Sequence, residues 1–172
     1  MNELERIIEW YNLTLESQRF TIRLAEKSPE IFPLDSSLAA KSFNEVKETL
    51  LEAEKELKDL TVLSLVSVFE QMLIDYLSDE TKKIIEMGNE SFFEAAIKYA
   101  FKNTEKWHFK DILDLFKTTV GAELVGRVKQ IYEYRNWVAH GKKQSKINRV
   151  TKTTPEVTYE QLSEFLGRLD EG

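Results

Sequence analysis

Apolar residues recur at helical spacing along almost the entire chain, and no stretch alternates as a strand would. Leu4, Ile8, Tyr11, Leu15 and Ile22 keep one face apolar over a predicted first helix of residues 3–27. Ser28-Pro29 ends it, because the residue before a proline avoids the helical region. A connector over residues 29–36 contains Pro33, and Asp35, Ser36 and Ser37 offer side-chain oxygens to cap the next helix. That helix is expected over residues 38–78. Its first half alternates acids and bases, as in Glu45-Val46-Lys47-Glu48, the pattern of a solvated helix with i,i+4 ion pairs. Its second half, Thr61 to Tyr76, is mostly apolar and is expected in the core, and the change of character near Lys58-Asp59 allows a break there.

Shorter helices are predicted over 79–87, from Asn89 or Ser91 onward with Phe92, Phe93, Ala96, Tyr99 and Ala100 inside, and over 109–118. A further helix spans 121–140. The segment 141–157 is polar and basic, and Thr158-Tyr159-Glu160-Gln161 reads as a capping box opening a last helix with Leu162, Phe165, Leu166 and Leu169 inside. The expected fold is all-α: one domain over residues 1–172, a helical bundle over 38–172 built on antiparallel helices, with an N-terminal helix and connector over 1–37 appended.

Charge narrows the function classes. The net charge is −6, which argues against a general polyanion binder. Residues 141–152 nevertheless hold Lys142, Lys143, Lys146, Arg149 and Lys152 and no acid. That strip carries +5, so the rest of the chain carries −11. There are no cysteines, so disulfides and thiolate metal sites are excluded, in keeping with a cytoplasmic protein. The N-terminus, Met1-Asn2-Glu3-Leu4-Glu5-Arg6, lacks the form of a signal peptide, and no uncharged apolar run approaches the length of a membrane span, so no membrane partner is expected.

The basic strip follows directly on Arg135-Asn136-Trp137-Val138-Ala139-His140-Gly141. Histidine exchanges a proton near neutral pH, and arginine keeps its charge and grips phosphate oxygens. His140 is one of only two histidines, so the coincidence carries weight. On the helix, Leu124, Val128, Ile131, Arg135 and Val138 follow i, i+4, i+7, i+11 and i+14, which places Arg135 in line with the apolar stripe. A charge there must be paired or must face a cleft or interface. Asn136 and His140 stand four apart on a neighbouring face. Glu70 interrupts another stripe, Leu63, Val66, Glu70, Leu73 and Leu77. Either it reaches solvent at the margin of that stripe, or it pairs with Arg135.

Arg135-Asn136-x-x-Ala139-His140-Gly141, late in a helical bundle, resembles the R-x4-6-H motif of the HEPN superfamily. The resemblance spans about residues 38 to 169 and leaves the first helix unplaced. It implies a metal-independent endoribonuclease, of the kind found as toxins in toxin–antitoxin and other prokaryotic defence systems. It also implies a homodimer whose two motifs share one cleft, with a cognate antitoxin as a further partner. Some members of the superfamily are not catalytic, so the alternative is a helical interaction or nucleotide-binding module.

The remaining candidates are weaker. His108, between Trp107 and Phe109, reads as a packed or capping histidine. Two distant histidines and no cysteine make a dedicated transition-metal site unexpected, and no cofactor is implied. Ser64 and Ser67 have no neighbouring histidine in sequence to activate them. The glycines are scattered and form no phosphate loop. Tyr132, Tyr134 and Trp137 can stack on bases, but at this spacing they read first as packing. The expected catalytic set is therefore Arg135, Asn136 and His140, supported by Glu70. RNA is the expected substrate, held by Lys142, Lys143, Lys146 and Arg149.

Overall fold

A computed structural model describes residues 2–28, 30, 32–87, 108–143 and 150–170, and the described residues are all-α. The helix expected around Phe92 to Ala100, and the cations Lys146 and Arg149, lie outside the described residues. The helices are α1 (Glu3–Lys27), α2 (Phe43–Met87), α3 (Phe109–Leu115), α4 (Lys117–Val120), α5 (Ala122–Ala139) and α6 (Pro155–Asp170).

Local chemistry sets the helix ends. Asn2 caps α1, and Glu5 reaches back to the Asn2 amide to complete a capping box. The second helix begins at Phe43, later than the sequence suggests. Its cap is Ser42, whose amide and hydroxyl both donate to the Glu45 carboxylate at 2.8 and 2.7 Å. Asp35, Ser36 and Ser37 belong instead to turns before it, as in the bond from the Ser36 amide to the Pro33 carbonyl. No break occurs at Lys58-Asp59. The expected helices over 38–78 and 79–87 are one 45-residue element, about 67 Å long at the normal rise. The last helix starts three residues earlier than its apparent box, at Pro155. Proline needs no amide partner in the first turn, and Thr154 accepts a bond from the Val157 amide. Thr158 is therefore inside the helix and fully buried.

The first helix runs antiparallel to the first half of α2. Leu4 enters the main core, while Ile8, Tyr11 and Leu15 close a second cluster with Leu57. The second half of α2 carries the main core on Val62, Leu65, Val66, Phe69 and Leu73. By length and composition alone α2 could cross a membrane over Phe43–Lys83, but in the fold the apolar stripe of its second half faces α3, α5 and α6. Phe69 sits at the junction: its ring meets Phe109 of α3 and Phe165 of α6 edge-on, at 6.2 and 5.2 Å between centroids. The expected 109–118 helix is kinked at Phe116, giving α3 and α4. Gly121, at φ +94°, makes the turn into α5, a backbone that a side chain would strain. Arg168 of α6 covers that turn with a bond to the Val120 carbonyl at 2.6 Å.

Truncating Phe69 to alanine should cost about 3–5 kcal/mol, as for large-to-small changes in a packed core. Chemical denaturation of Phe69→Ala measures it, and a loss below about 1 kcal/mol would mean that the three-helix junction is not closed around this ring.

Candidate active site

The fifth helix brings its apolar stripe to the core as its spacing predicts: Leu124, Val128, Ile131 and Val138 are buried. Arg135, on the same line, is 24% exposed and lies against α2. There its Nη2 pairs with Glu70 Oε2 at 3.2 Å, and Glu70 itself is 21% exposed. Of the two readings of Glu70, the pairing is the one observed. The same Nη2 donates to Ser67 Oγ at 3.4 Å, and Nη1 donates to Asn136 Oδ1 at 3.0 Å. Tyr132, one turn earlier on α5, lies beneath the guanidinium carbon at 5.8 Å from its ring centroid. The Arg135 Nε is buried with no hydrogen-bond partner among the described residues. The arginine is thus gripped by both terminal nitrogens and by an aromatic face, a preorganised cation rather than a flexible one.

His140 is the C-cap of α5, with its amide on the Asn136 carbonyl. Its side chain is exposed and makes no hydrogen bond or ion pair with the described residues. At 100° per residue, five positions place it about 140° around the helix from Arg135. Asn136 stands between the two, bonded to the arginine and one turn before the histidine. A single chain therefore holds the cation and the imidazole on adjoining faces of one helix end, and does not bring them onto one.

The turn after His140 is closely tied down. The Gly141 amide bonds the Val138 carbonyl at 3.0 Å and the Lys142 amide bonds the Trp137 carbonyl at 2.9 Å, the paired bonds of a Schellman ending. Gly141 takes φ +77°. Lys142 takes φ +54°, uncommon for a residue with a side chain. Lys142 is not the free cation that the basic strip suggests. Its Nζ pairs with Glu56 Oε1 and Asp59 Oδ2 of α2, each at 2.7 Å. Those hydrogen bonds raise its pKa. Lys143 is exposed. Only Lys142 and Lys143 of the four proposed RNA contacts are within the described residues, and the fold commits the first of them to α2.

Sequence reasoning missed Ser67, Glu56 and Asp59. Ser67 had a signal: it lies three residues before Glu70, hence on the same face of α2. The three aromatics near the motif are held by the protein itself. Tyr132 packs on Phe109 at 5.0 Å, Tyr134 donates its hydroxyl to Asp59, and Trp137 donates Nε1 to the Lys143 carbonyl at 3.0 Å. His108 is the exposed N-cap residue of α3 and has no part in the site. No cluster of metal-ligating side chains occurs among the described residues.

No known protein-family model matches the chain, and neither the curated proteins nor the solved structures hold a match for it.

Burial holds the Glu70 carboxyl above its ordinary 4.5, outweighing the attraction of Arg135. The folded protein then keeps this proton to higher pH than the unfolded chain. The group's stabilising contribution is complete below pH 4.5 and is lost as pH rises through the folded value. Wild type measured against Glu70→Gln by urea denaturation, from roughly pH 4 to 7, should therefore lose relative stability as pH rises. A difference that grows with pH would mean that the Arg135 attraction outweighs burial.

Proposed function

We propose that the protein is a metal-independent endoribonuclease of the HEPN type, acting as a toxin or defence-system RNase in the cytoplasm. The observation that carries the reading is the gripped guanidinium of Arg135, bonded through Asn136 to the helix end that presents an exposed His140 with no polar partner among the described residues. The ribose 2′-oxygen attacks the adjacent phosphorus and the bond to the 5′-oxygen breaks. The products are a 2′,3′-cyclic phosphate and a 5′-hydroxyl. A histidine takes the 2′-hydroxyl proton, or gives one to the departing 5′-oxygen. Arg135 neutralises charge growing on the non-bridging oxygens, and its restraint by Glu70, Ser67 and Tyr132 means that little reorganisation is needed when that charge appears. Asn136 orients the phosphate or the imidazole. Lys143, with Lys146 and Arg149, supplies phosphate contacts that hold the strand without reading its sequence.

Cleavage should persist in EDTA. It should fall by about 10²–10⁴-fold in His140→Ala, the usual range for losing a general acid or base. Arg135→Lys, which keeps the charge beside Glu70 and loses the fork, should also be impaired. The readout is cleavage of end-labelled RNA with end-group analysis of the products. Full activity of His140→Ala would overturn the mechanism.

One motif histidine per chain serves poorly as both acid and base in a single step. The angular offset between Arg135 and His140 adds to the case for a second copy. A two-fold dimer with both 135–140 segments facing one cleft supplies two of each. The surface beside Arg135 suits such a contact. A cleft of about 600 Å³ between α1 and α2 is lined by Trp10, Ser64 and Ser67. Leu60, Ser64, Ser67 and Ile74 follow helical spacing along the same side of α2, and Trp10, Leu60 and Ile74 are all exposed. Sedimentation should give a dimer, and mixing Arg135→Ala with His140→Ala chains should restore some cleavage that neither has alone. An active monomer would contradict the shared cleft.

A non-catalytic interaction module is favoured by one other observation. Leu13 and Phe20, seven residues apart on α1, are both exposed. This is a stripe on which a partner protein can seat. Under that reading purified protein leaves RNA intact at any concentration.

A further inference from the structure

We infer that Asp59 and Lys142 form a clamp that positions His140, so that Lys142 serves the geometry of the site and not the RNA backbone. The inference rests on the proposed catalytic role of His140. Asp59 is 14% exposed on α2 and uses both carboxylate oxygens on the motif segment. Its Oδ1 accepts the Tyr134 hydroxyl, six residues before His140, and its Oδ2 pairs with Lys142 Nζ, two residues after it. Glu56, three residues earlier on α2, takes the same Nζ. One aspartate thus ties down α5 on both sides of its C-terminal turn.

The backbone shows what this restraint works against. Two consecutive residues, Gly141 and Lys142, are left-handed, and the second has a side chain that disfavours that conformation. The paired bonds from the Gly141 and Lys142 amides, and the Trp137 indole on the Lys143 carbonyl, hold the main chain of the turn. The Lys142 side chain adds the tie to α2 that sets where the whole turn lies. The exposed His140 side chain makes no hydrogen bond, ion pair or ring contact with the described residues, so its position follows from the turn that carries it. The charge arithmetic agrees. Lys142 faces two carboxylates at 2.7 Å each, so a phosphate would have to displace both to reach it. Tyr134 is pushed well above its ordinary value by burial and by Asp59, so it remains a hydrogen-bond donor across the physiological range.

The test uses three variants of the full chain: Asp59→Asn, Lys142→Gln and Lys142→Arg. In RNA cleavage, Asp59→Asn and Lys142→Gln should each lower kcat by about tenfold or more, the scale of a small misplacement of a reacting group. KM should stay within about twofold, because no substrate contact is lost. Lys142→Arg, which keeps the ion pair, should restore most of the rate. Independently of catalysis, amide hydrogen exchange at residues 140–142 should quicken in Asp59→Asn and Lys142→Gln while residues 122–134 keep their protection. It should stay slow in Lys142→Arg. Unchanged exchange at the turn in Asp59→Asn would overturn the clamp. A raised KM with unchanged kcat in Lys142→Gln would return Lys142 to the RNA backbone. If wild type leaves RNA intact while exchange at the turn quickens as expected, the clamp stands as structure and the nuclease reading falls.

Discussion

Burial of one stripe of α2 is the constraint on which the rest of the structure depends. Val62, Leu65, Val66, Phe69 and Leu73 cannot be hidden by α2 itself, so α3, α5 and α6 are drawn onto it. The first helix uses the preceding turns around Leu57. A rod of this length is a common reference for the other helices, and it lines up polar groups that lie far apart in sequence. Glu56, Asp59, Ser67 and Glu70 all project from it toward the last turns of α5. The site is therefore as rigid as the packing of α5 on α2.

Placing an arginine in line with an apolar stripe creates an obligation. A guanidinium at that depth loses much of its hydration and must find partners. Glu70, Ser67 and Asn136 meet the obligation at Nη1 and Nη2, while Nε has no partner among the described residues. Desolvation also acts on the carboxylate, raising its pKa despite the nearby positive charge. Such a pair contributes little net stability, because the Coulomb gain and the loss of hydration largely cancel. Its effect is to fix the cation at one place on the surface, which an ordinary surface lysine does not offer.

The basic strip shows how composition and position separate. As a run of lysines after a histidine it reads as one functional unit. In the fold its first member is turned back onto two carboxylates of α2, while its neighbour Lys143 is exposed. The acidic first half of α2 is thus more than a solvated face: Glu56 and Asp59 near its end receive the turn that follows the motif.

Much was legible in the chain itself, because helical spacing is local. The all-α class, the line of Arg135 with Leu124, Val128 and Ile131, and the embedding of Glu70 in an apolar stripe each follow from residues within a few turns of one another. Capping is also local, yet several boxes compete, and only packing selected Ser42 over Asp35 and Thr154 over Thr158. Continuity through Lys58-Asp59 was hidden because polar and apolar halves look like two helices until other elements cover the second. The Asp59 contacts with Tyr134 and Lys142 span 75 and 83 positions of chain, and no periodicity encodes a meeting of that kind. The residue types and the faces on which they stand were determined by the sequence alone. Which carboxylate meets which cation was decided by how α5 packs on α2, since that packing depends on how the buried side chains of both helices fit together.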